Sequence, residues 1–289
     1  MRLITAIVST IAALLVGTAF AHAEGIVPWQ LWHQAPASDM AERIEWFDTY
    51  TFWFITPITI LVLLLLVYVG IKFRASANPN PSKTSHNSVI EAVWTIGPII
   101  VLVMIAFPSF DLLNRQLAPE EEPSMTIKAT GYQWYWGFEY MDDSELAFDM
   151  IMLQEDERQD AGKTDKAKYP RLLAVDNEVV VPVNEMIRVL VTAEDVIHAF
   201  AMPAFGVKID GIPGRMNETW FKATREGLFY GQCSELCGKD HAFMPIAIRV
   251  VSKDQYETWK AAAVDDVEAA NRALMASIET QKSIKVAGN

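Results

Sequence analysis

The sequence predicts a membrane protein made of a two-helix transmembrane hairpin followed by an all-β domain. Two stretches carry no charged residue, 23 residues at 49–71 and 19 residues at 92–110. About 20 apolar residues in a helix cross a hydrocarbon core of about 30 Å. Residues 61–69 are apolar on every face, which argues against a buried helix with one apolar stripe. Short β-rich runs then recur between turn signals, as in a sandwich or barrel; they are residues 125–130, 132–140, 179–183, 187–192, 218–222, 228–232 and 246–251.

The first 23 residues have the features of a cleavable export signal. Arg2 precedes an apolar stretch at 3–20, and Ala21-His22-Ala23 has the small-x-small pattern that signal peptidases cut. Cleavage would begin the mature protein near Glu24. An uncleaved first membrane helix is the alternative, but the apolar stretch is short and rich in Ala and Thr.

The loop between the two apolar stretches indicates their orientation. Residues 72–90 carry Lys72, Arg74 and Lys83 and neither Asp nor Glu, and such loops stay in the cytoplasm. The chain beyond about residue 114 is then periplasmic. The expected divisions are a signal peptide (1–23), a periplasmic N-terminal segment (24–48), transmembrane helices (49–71 and 91–113), a cytoplasmic loop (72–90), a periplasmic β domain (124–252) with a polar surface insertion (154–170), and a C-terminal helix and tail (253–289).

The exported part is acidic. Residues 114–289 contain 29 Asp and Glu against 19 Lys and Arg, a balance of −10. This charge disfavours a nucleic-acid partner and favours a basic one, although an acidic surface also serves solubility. Periodicity predicts a helix only at 253–263, and we expect the Ala-rich, charged tail beyond it to pack weakly or fray.

The chemistry-bearing residue types of the exported part are few. The chain has two cysteines, Cys233 and Cys237, and only His198 and His241 are histidines that follow the membrane helices. Met244 follows closely as another soft donor. These five side chains could converge on one metal site.

Two other interpretations of the cysteine segment compete with a metal site. A helix would place Cys233, Cys237 and His241 on one face, but about 12 Å of helical rise would separate the first from the last. Glycines and a proline in this segment favour a loop instead. A disulfide is the other alternative, which an oxidising periplasm favours, but it requires neither the histidine nor the methionine.

The donor types also bear on the metal. Two thiolates and two imidazoles alone suit zinc as well as copper, and the thioether of Met244 favours copper. A mononuclear blue-copper site uses one cysteine, so the second thiol indicates a pair of coppers bridged by two sulfurs.

These residues and three further segments resemble the cytochrome c oxidase subunit II family, in its bacterial aa3-type form, from the first membrane helix nearly to the C-terminus. The cysteines lie in Cys233-Ser-Glu-Leu-Cys-Gly, followed by His241 and Met244, and the three further segments are Asp195-Val-Ile-His198, Gly131-Tyr-Gln-Trp-Tyr-Trp136 and Ile90-Glu-Ala-Val-Trp-Thr-Ile-Gly-Pro98. The resemblance implies a cupredoxin-like Greek-key sandwich that holds the dinuclear copper centre CuA. Its implied ligands are His198, Cys233, the Glu235 carbonyl, Cys237, His241 and Met244.

The resemblance also implies partners. The Glu235 carboxylate would bind a Mg ion shared with oxidase subunit I, and haem would lie only in that subunit. Cytochrome c would be the donor, because quinol-oxidising relatives lack the copper ligands. Subunit III and membrane lipid would be further contacts, in the bacterial inner membrane.

The resemblance assigns roles to six other residues. Alternation along a strand would place Tyr132, Trp134, Trp136, Phe138 and Tyr140 on one core-facing side, yet the family's position for electron uptake corresponds to Trp134, as an exposed indole over the copper. The implied docking carboxylates are Glu139, Asp149, Asp176 and Asp195, each of which could be an ordinary surface charge. Glu91 corresponds to the entrance of a proton path, and it could instead complete a capping box with Ser88.

The expected function is therefore electron transfer within an enzyme complex of the respiratory chain. Electrons from cytochrome c would pass through CuA to haem in subunit I, where O2 is reduced to water with proton pumping. The alternatives are a membrane-tethered copper carrier or assembly protein, and a structural zinc or disulfide domain.

Overall fold

Two long helices open the described part of the chain, which comprises residues 29–119, 121–142 and 146–287 of a computed structural model. Helix α1 spans Asp39–Lys72 and helix α2 spans Ser88–Leu117. Both are long and apolar enough to cross a membrane, as predicted. Each helix continues beyond its uncharged stretch through further helical turns that contain polar residues. The predicted signal peptide at 1–23 and its cleavage site near Glu24 lie outside the described residues.

The start of α2 differs from the prediction. Asn87 is the N-cap, because its side chain accepts hydrogen bonds from the backbone N of Val89 and Ile90. Glu91 Oε1 accepts from the backbone N of Asn87 at 3.2 Å. The predicted box with Ser88 as N-cap is therefore wrong by one residue, although Glu91 does reach back to the cap.

The domain that follows α2 is a β-sandwich, as predicted. One sheet has five strands in the order β3-β2-β1-β5-β8, a second has three in the order β4-β10-β9, and β6 pairs with β7. The strands are β1 Met125–Tyr132, β2 Tyr135–Tyr140, β3 Ala147–Met150, β4 Val179–Pro182, β5 Met186–Ala193, β6 His198–Met202, β7 Val207–Gly211, β8 Asn217–Lys222, β9 Gly227–Gln232 and β10 Pro245–Val251. Strands β1 and β5 pair in parallel, as do β4 and β10.

The core lies between the sheets. Trp136, Phe138 and Tyr140 of β2 are fully buried in it. The Tyr140 hydroxyl donates to the carbonyl O of Val180 at 2.8 Å and accepts from its backbone N at 2.9 Å. This reciprocal pair joins a strand of the first sheet to a strand of the second.

The polar insertion at 154–170 is not purely a surface feature. Arg158 and Lys163 are buried. Lys163 Nζ lies 3.1 Å from Glu178 Oε1, and Arg249 Nε lies 2.5 Å from Glu178 Oε2. Charged side chains can be buried when they are paired and hydrogen-bonded, and that is why this part of the expectation fails.

The C-terminal segment also packs more firmly than predicted. Helix α3 spans Lys253–Ala263, as periodicity indicates, and helix α4 spans Val267–Ala287. Ala270, Leu274 and Met275 of α4 are buried. Trp259 Nε1 donates to Asn271 Oδ1 at 2.8 Å, so the first half of the tail forms a helical hairpin with α3.

Candidate metal centre

One strand and one loop supply the five predicted side chains. His198 is the first residue of β6, and residues 233–244 connect β9 to β10. Cys233 directly follows β9 and Met244 directly precedes β10. Because the ends of this loop are held by antiparallel pairing of β9 with β10, its side chains return to one place.

The donor atoms lie close together, as predicted. Cys237 Sγ lies 3.8 Å from Cys233 Sγ, 3.5 Å from His241 Nδ1 and 3.5 Å from Met244 Sδ. Cys233 Sγ lies 3.9 Å from His198 Nδ1 and 3.3 Å from the Glu235 carbonyl O. The segment is a loop with a single 3-10 turn at His241–Phe243, so the helical alternative is wrong.

The two cysteines are free thiols in this structure. Their 3.8 Å separation is well beyond the length of about 2.05 Å of a disulfide bond. His198, Cys233 and Cys237 form a buried group whose ligand atoms all lie within 4.8 Å of one another. This spacing allows one ion to contact several donors at once.

Burial differs across the cluster. His198, Cys233, Cys237 and Met244 are buried, whereas His241 is half-buried and Glu235 is exposed. The apolar surroundings strengthen electrostatic interactions at the sulfurs.

The two thiols ionise unequally. Burial raises the pKa of Cys233, but hydrogen bonding, first from His198, outweighs it and lowers the pKa to about 6. For Cys237, burial and the neighbouring Cys233 charge raise the pKa to about 12. A thiolate at Cys233 therefore disfavours a second one at Cys237, and a nearby cation would favour ionisation of both.

The other ring nitrogen of His198 has its own partner. His198 Nε2 lies 2.9 Å from Asp195 Oδ1. The same carboxylate accepts from the backbone N of Gln133 at 2.7 Å and of Val196 at 2.6 Å. Partners of this kind fix the ring orientation of metal-binding histidines and leave the other nitrogen for the ion.

Trp134 lies in the turn between β1 and β2, in a position that strand alternation did not predict. Its indole is half-buried and packs on the loop, so that a Cβ at Gly238 would lie 3.1 Å from Trp134 Cζ2. Tyr132 is also off the core face, where it stacks on Tyr135 at 4.7 Å. The hairpin turn interrupts the alternation, and of the five aromatics only Trp136, Phe138 and Tyr140 are fully buried.

The four predicted docking carboxylates have different surroundings. Glu139 pairs with Lys128 at 2.7 Å, and Asp149 is exposed. Asp176 Oδ1 accepts from the backbone N of Ile151 at 2.7 Å, and burial raises its pKa. The Asp195 carboxylate contacts His198 and accepts hydrogen bonds from the backbone N of Gln133 and Val196. Among the described residues, Asp149 alone of the four has neither an ion pair nor a hydrogen bond to its carboxylate.

Glu91 lies far from the metal cluster. It is in the first turn of α2, and 26 residues of helix separate it from the end of α2 at Leu117. That is roughly 39 Å of helical rise, so the structure does not bring Glu91 together with the other predicted site residues.

Gln133 is a site residue that the sequence did not reveal. Its side-chain Nε2 donates to the Cys237 carbonyl O at 2.7 Å, across 104 positions of sequence. A glutamine in a turn beside aromatics carries no signal for such a distant backbone contact.

Comparison with known proteins identifies relatives over most of the chain. Two family models match it, "Cytochrome C oxidase subunit II, transmembrane domain" over residues 26–112 and "Cytochrome C oxidase subunit II, periplasmic domain" over residues 125–251. A probable cytochrome c oxidase subunit 2 of Rickettsia bellii is 46% identical over 254 residues, which cover 88% of this chain and 91% of the relative.

Two further relatives are bacterial. Cytochrome c oxidase subunit 2 of Cereibacter sphaeroides is 43% identical over 238 residues, covering 78% of each chain. A crystal structure of the periplasmic domain of cytochrome oxidase subunit II of Bradyrhizobium japonicum is 58% identical. It covers 51% of this chain and 98% of that one, with a TM-score of 0.45.

Proposed function

Because the chain belongs to the cytochrome c oxidase subunit II family, we propose that it accepts electrons from cytochrome c at a dinuclear copper centre, CuA, and delivers them to haem in subunit I. Reduction of O2 to water and the coupled proton pumping take place in that subunit. The observation that carries the proposal is the convergence of two thiols, two imidazoles and a thioether within contact distance of one another.

The donor set fits a copper pair. His198, Cys233, the Glu235 carbonyl, Cys237, His241 and Met244 would hold it. Soft thiolate and thioether donors favour copper over magnesium or calcium. The pKa of the Cys237 thiol is raised, so nearby positive charge is needed to keep this thiol ionised. When bound, the pair supplies a one-electron redox couple.

The surrounding residues keep the donors in place. Burial of His198, Cys233, Cys237 and Met244 excludes water from the sulfurs and limits their movement. Asp195 holds His198 through Nε2, so that Nδ1 points towards Cys233. A site that is held rigid reorganises little when its charge changes, which favours rapid electron transfer.

Trp134 provides the route for electrons from the surface. Its half-buried indole lies against the Cys237-Gly238 segment, so it contacts the loop that carries the cysteines and is also partly exposed at the surface. We assign the acidic surface with Glu139, Asp149, Asp176 and Asp195 to docking of basic cytochrome c, since complementary charge accelerates encounter. The exposed Asp149 contributes most to this attraction.

The remaining assignments concern the membrane and the other subunits. The 72–90 loop is cytoplasmic, α1 and α2 cross the bacterial inner membrane, and subunits I and III and lipid surround them. The Glu235 carboxylate binds Mg at the boundary with subunit I. Glu91 caps α2 and also stands at the mouth of a proton path, since a carboxylate at a membrane edge suits both roles.

Metal analysis of the full chain, purified in mild detergent, tests the proposal. We expect about two copper ions per chain and reduction of the bound metal by reduced cytochrome c. Met244→Leu should lower the copper content, whereas Met216→Leu, at an exposed methionine outside the cluster, should not. A zinc-filled site, or copper that cytochrome c does not reduce, contradicts the proposal and favours a structural site or a copper carrier.

A further inference from the structure

Gln133 joins three segments of the chain at the metal cluster. Its backbone N donates to Asp195 Oδ2 at 2.7 Å, in the β5–β6 connection. Its side-chain Nε2 donates to the Cys237 carbonyl O at 2.7 Å, in the β9–β10 loop. The residue itself lies in the β1–β2 turn. Asp195 in turn contacts His198, so Gln133 is linked to both sides of the cluster.

The indole of Trp134 lies on the same peptide that Gln133 contacts. A Cβ at Gly238, where φ is +125°, would lie 3.0 Å from Gln133 Nε2, 3.1 Å from Trp134 Cζ2 and 3.4 Å from Trp134 Nε1. Both side chains therefore cover the Cys237-Gly238 backbone closely. Glycine allows this approach, since a larger residue would push the two side chains away.

The position of the indole is not explained by its own hydrogen bonding. Trp134 Nε1 is buried and has no hydrogen-bond partner among the described residues. The neighbouring contacts must therefore hold the ring there, and the Gln133 amide supplies a hydrogen bond next to it.

We propose that Gln133 is a positioning residue that holds the indole of Trp134 against the Cys237-Gly238 backbone through its hydrogen bond to the Cys237 carbonyl. This inference rests on the proposed function for its consequence in electron transfer, but the positioning itself belongs to the chain alone. Removing the Gln133 side-chain amide breaks the contact between the β1–β2 turn and Cys237, while the hydrogen bond from the Gln133 backbone N to Asp195 remains. The ring then samples positions farther from the loop, and electrons arrive more slowly.

The first experiment needs no metal. The copper-free full chain in detergent is labelled with 5-fluorotryptophan, and the 19F resonance of Trp134 is assigned with Trp134→Phe. Gln133→Leu keeps the side chain's size and removes the donor, and Gln133→Glu keeps its shape and removes the donor when ionised. Gln154→Leu is the matched control, because the exposed Gln154 amide also donates to a backbone carbonyl, that of Met152, outside the cluster.

We expect both Gln133 variants to shift and broaden the Trp134 resonance while the other tryptophan resonances stay in place, and the control to leave all of them unchanged. An unchanged Trp134 resonance in both variants overturns the proposal. Loss of dispersion across all resonances in both also overturns it, because Gln133 would then support the whole domain rather than the indole.

The second experiment uses the intact oxidase and measures the rate of its first reduction by cytochrome c in a stopped-flow instrument, per bound copper. Gln133→Leu should slow this rate about tenfold, since misplacement by about 1 Å can cost up to about 100-fold, with little change in KM and no loss of copper. An unchanged rate overturns the proposed consequence. If the wild-type chain binds no copper pair, the proposed function fails, and the 19F result still decides the role of Gln133.

Discussion

The hydroxyl of Ser38 donates a hydrogen bond to the carbonyl O of Phe205 at 2.8 Å and accepts one from the backbone N of Ala41 at 3.0 Å. One buried side chain thus caps the first membrane helix and attaches it to the β-sandwich. Gly206, at φ +70°, allows the close approach, because a Cβ there would lie 2.8 Å from Ile44 Cδ1. Ser38 acts together with neighbouring backbone hydrogen bonds from Ala37 to Ala204 and from Thr224 to Ala37.

Ser38→Ala should therefore destabilise the junction between helix and sandwich. Loss of an N-cap costs about 1 kcal/mol, and the Phe205 carbonyl would lose its partner at a further cost of about 1–3 kcal/mol. Thermal unfolding of the full chain in detergent measures the change. Thr258→Ala is the control, since the Thr258 hydroxyl bonds only within its own helix; equal melting of the two variants would show that the junction contributes nothing.

Trp134→Gln should leave the metal spectrum intact and slow turnover with cytochrome c by about tenfold or more, a barrier increase of at least about 1.4 kcal/mol. The reason is that the indole lies against Gly238 without being one of the proposed metal donors. Steady-state oxidation of cytochrome c by the intact oxidase is the measurement. Trp220→Gln is the control, because β8 is the edge strand that β1 and β5 separate from β2, and it should have little effect on turnover. Undiminished turnover in Trp134→Gln would exclude Trp134 as the route for electrons.

Asp149→Asn should lower kcat/KM for cytochrome c at low ionic strength and lose this effect as salt rises. Exposed charges farther apart than a Debye length are largely screened, and that length is about 8 Å at 0.15 M. Asp149 is exposed, whereas the Asp195 carboxylate already has three partners. Measuring kcat/KM for both variants over a series of salt concentrations compares the two residues. Asp195→Asn should lower kcat/KM partly even at high salt. An effect of Asp149→Asn that does not depend on salt would contradict electrostatic steering.

Glu178→Gln should destabilise the fold strongly at neutral pH, because it leaves Lys163 and Arg249 buried without their carboxylate. Breaking a buried pair costs about 3–5 kcal/mol. The exposed pair of Glu218 with Arg188 provides the control, and Glu218→Gln should cost about 0–1 kcal/mol.

The effect of Glu178→Gln should also depend on pH. Burial raises the pKa of Glu178, but Arg249 and Lys163 outweigh it and lower the pKa to about 2 from 4.5. A lowered carboxyl pKa means stability that is present above pH 4.5 and is lost as pH falls towards 2. Denaturant unfolding of both proteins over this range should show their difference shrinking with acidity; a constant difference would mean that the Glu178 charge is not stabilising.

The convergence of the thiols and imidazoles was predictable because these residue types are scarce. Cys233, Cys237, His198 and His241 are all the cysteines and histidines beyond the membrane helices, so any shared site had to use them. The transmembrane helices were predictable because an uncharged stretch of about 20 residues has few other uses. Both inferences depend only on residue composition and on the positions of residues along the sequence.

Contacts across the tertiary structure were not predictable in the same way. Polarity predicts exposure, so the burial of Lys163 with Glu178 was missed, and alternation predicts a face, so the turn at Trp134 was missed. The Gln133 contact with Cys237 spans 104 positions and depends on how the sheets pack. Even Asp195, which the sequence suggested for docking, has a bond to His198 that only the fold reveals.

Electron paramagnetic resonance of the copper-loaded full chain tests the dinuclear site most directly. The convergence of Cys233 and Cys237 at 3.8 Å predicts hyperfine splitting from two equivalent copper nuclei sharing one unpaired electron, which Cys233→Ser or Cys237→Ser should abolish. A single-copper pattern in the wild-type chain, or a native chain with the two cysteines joined and no copper bound, would contradict it.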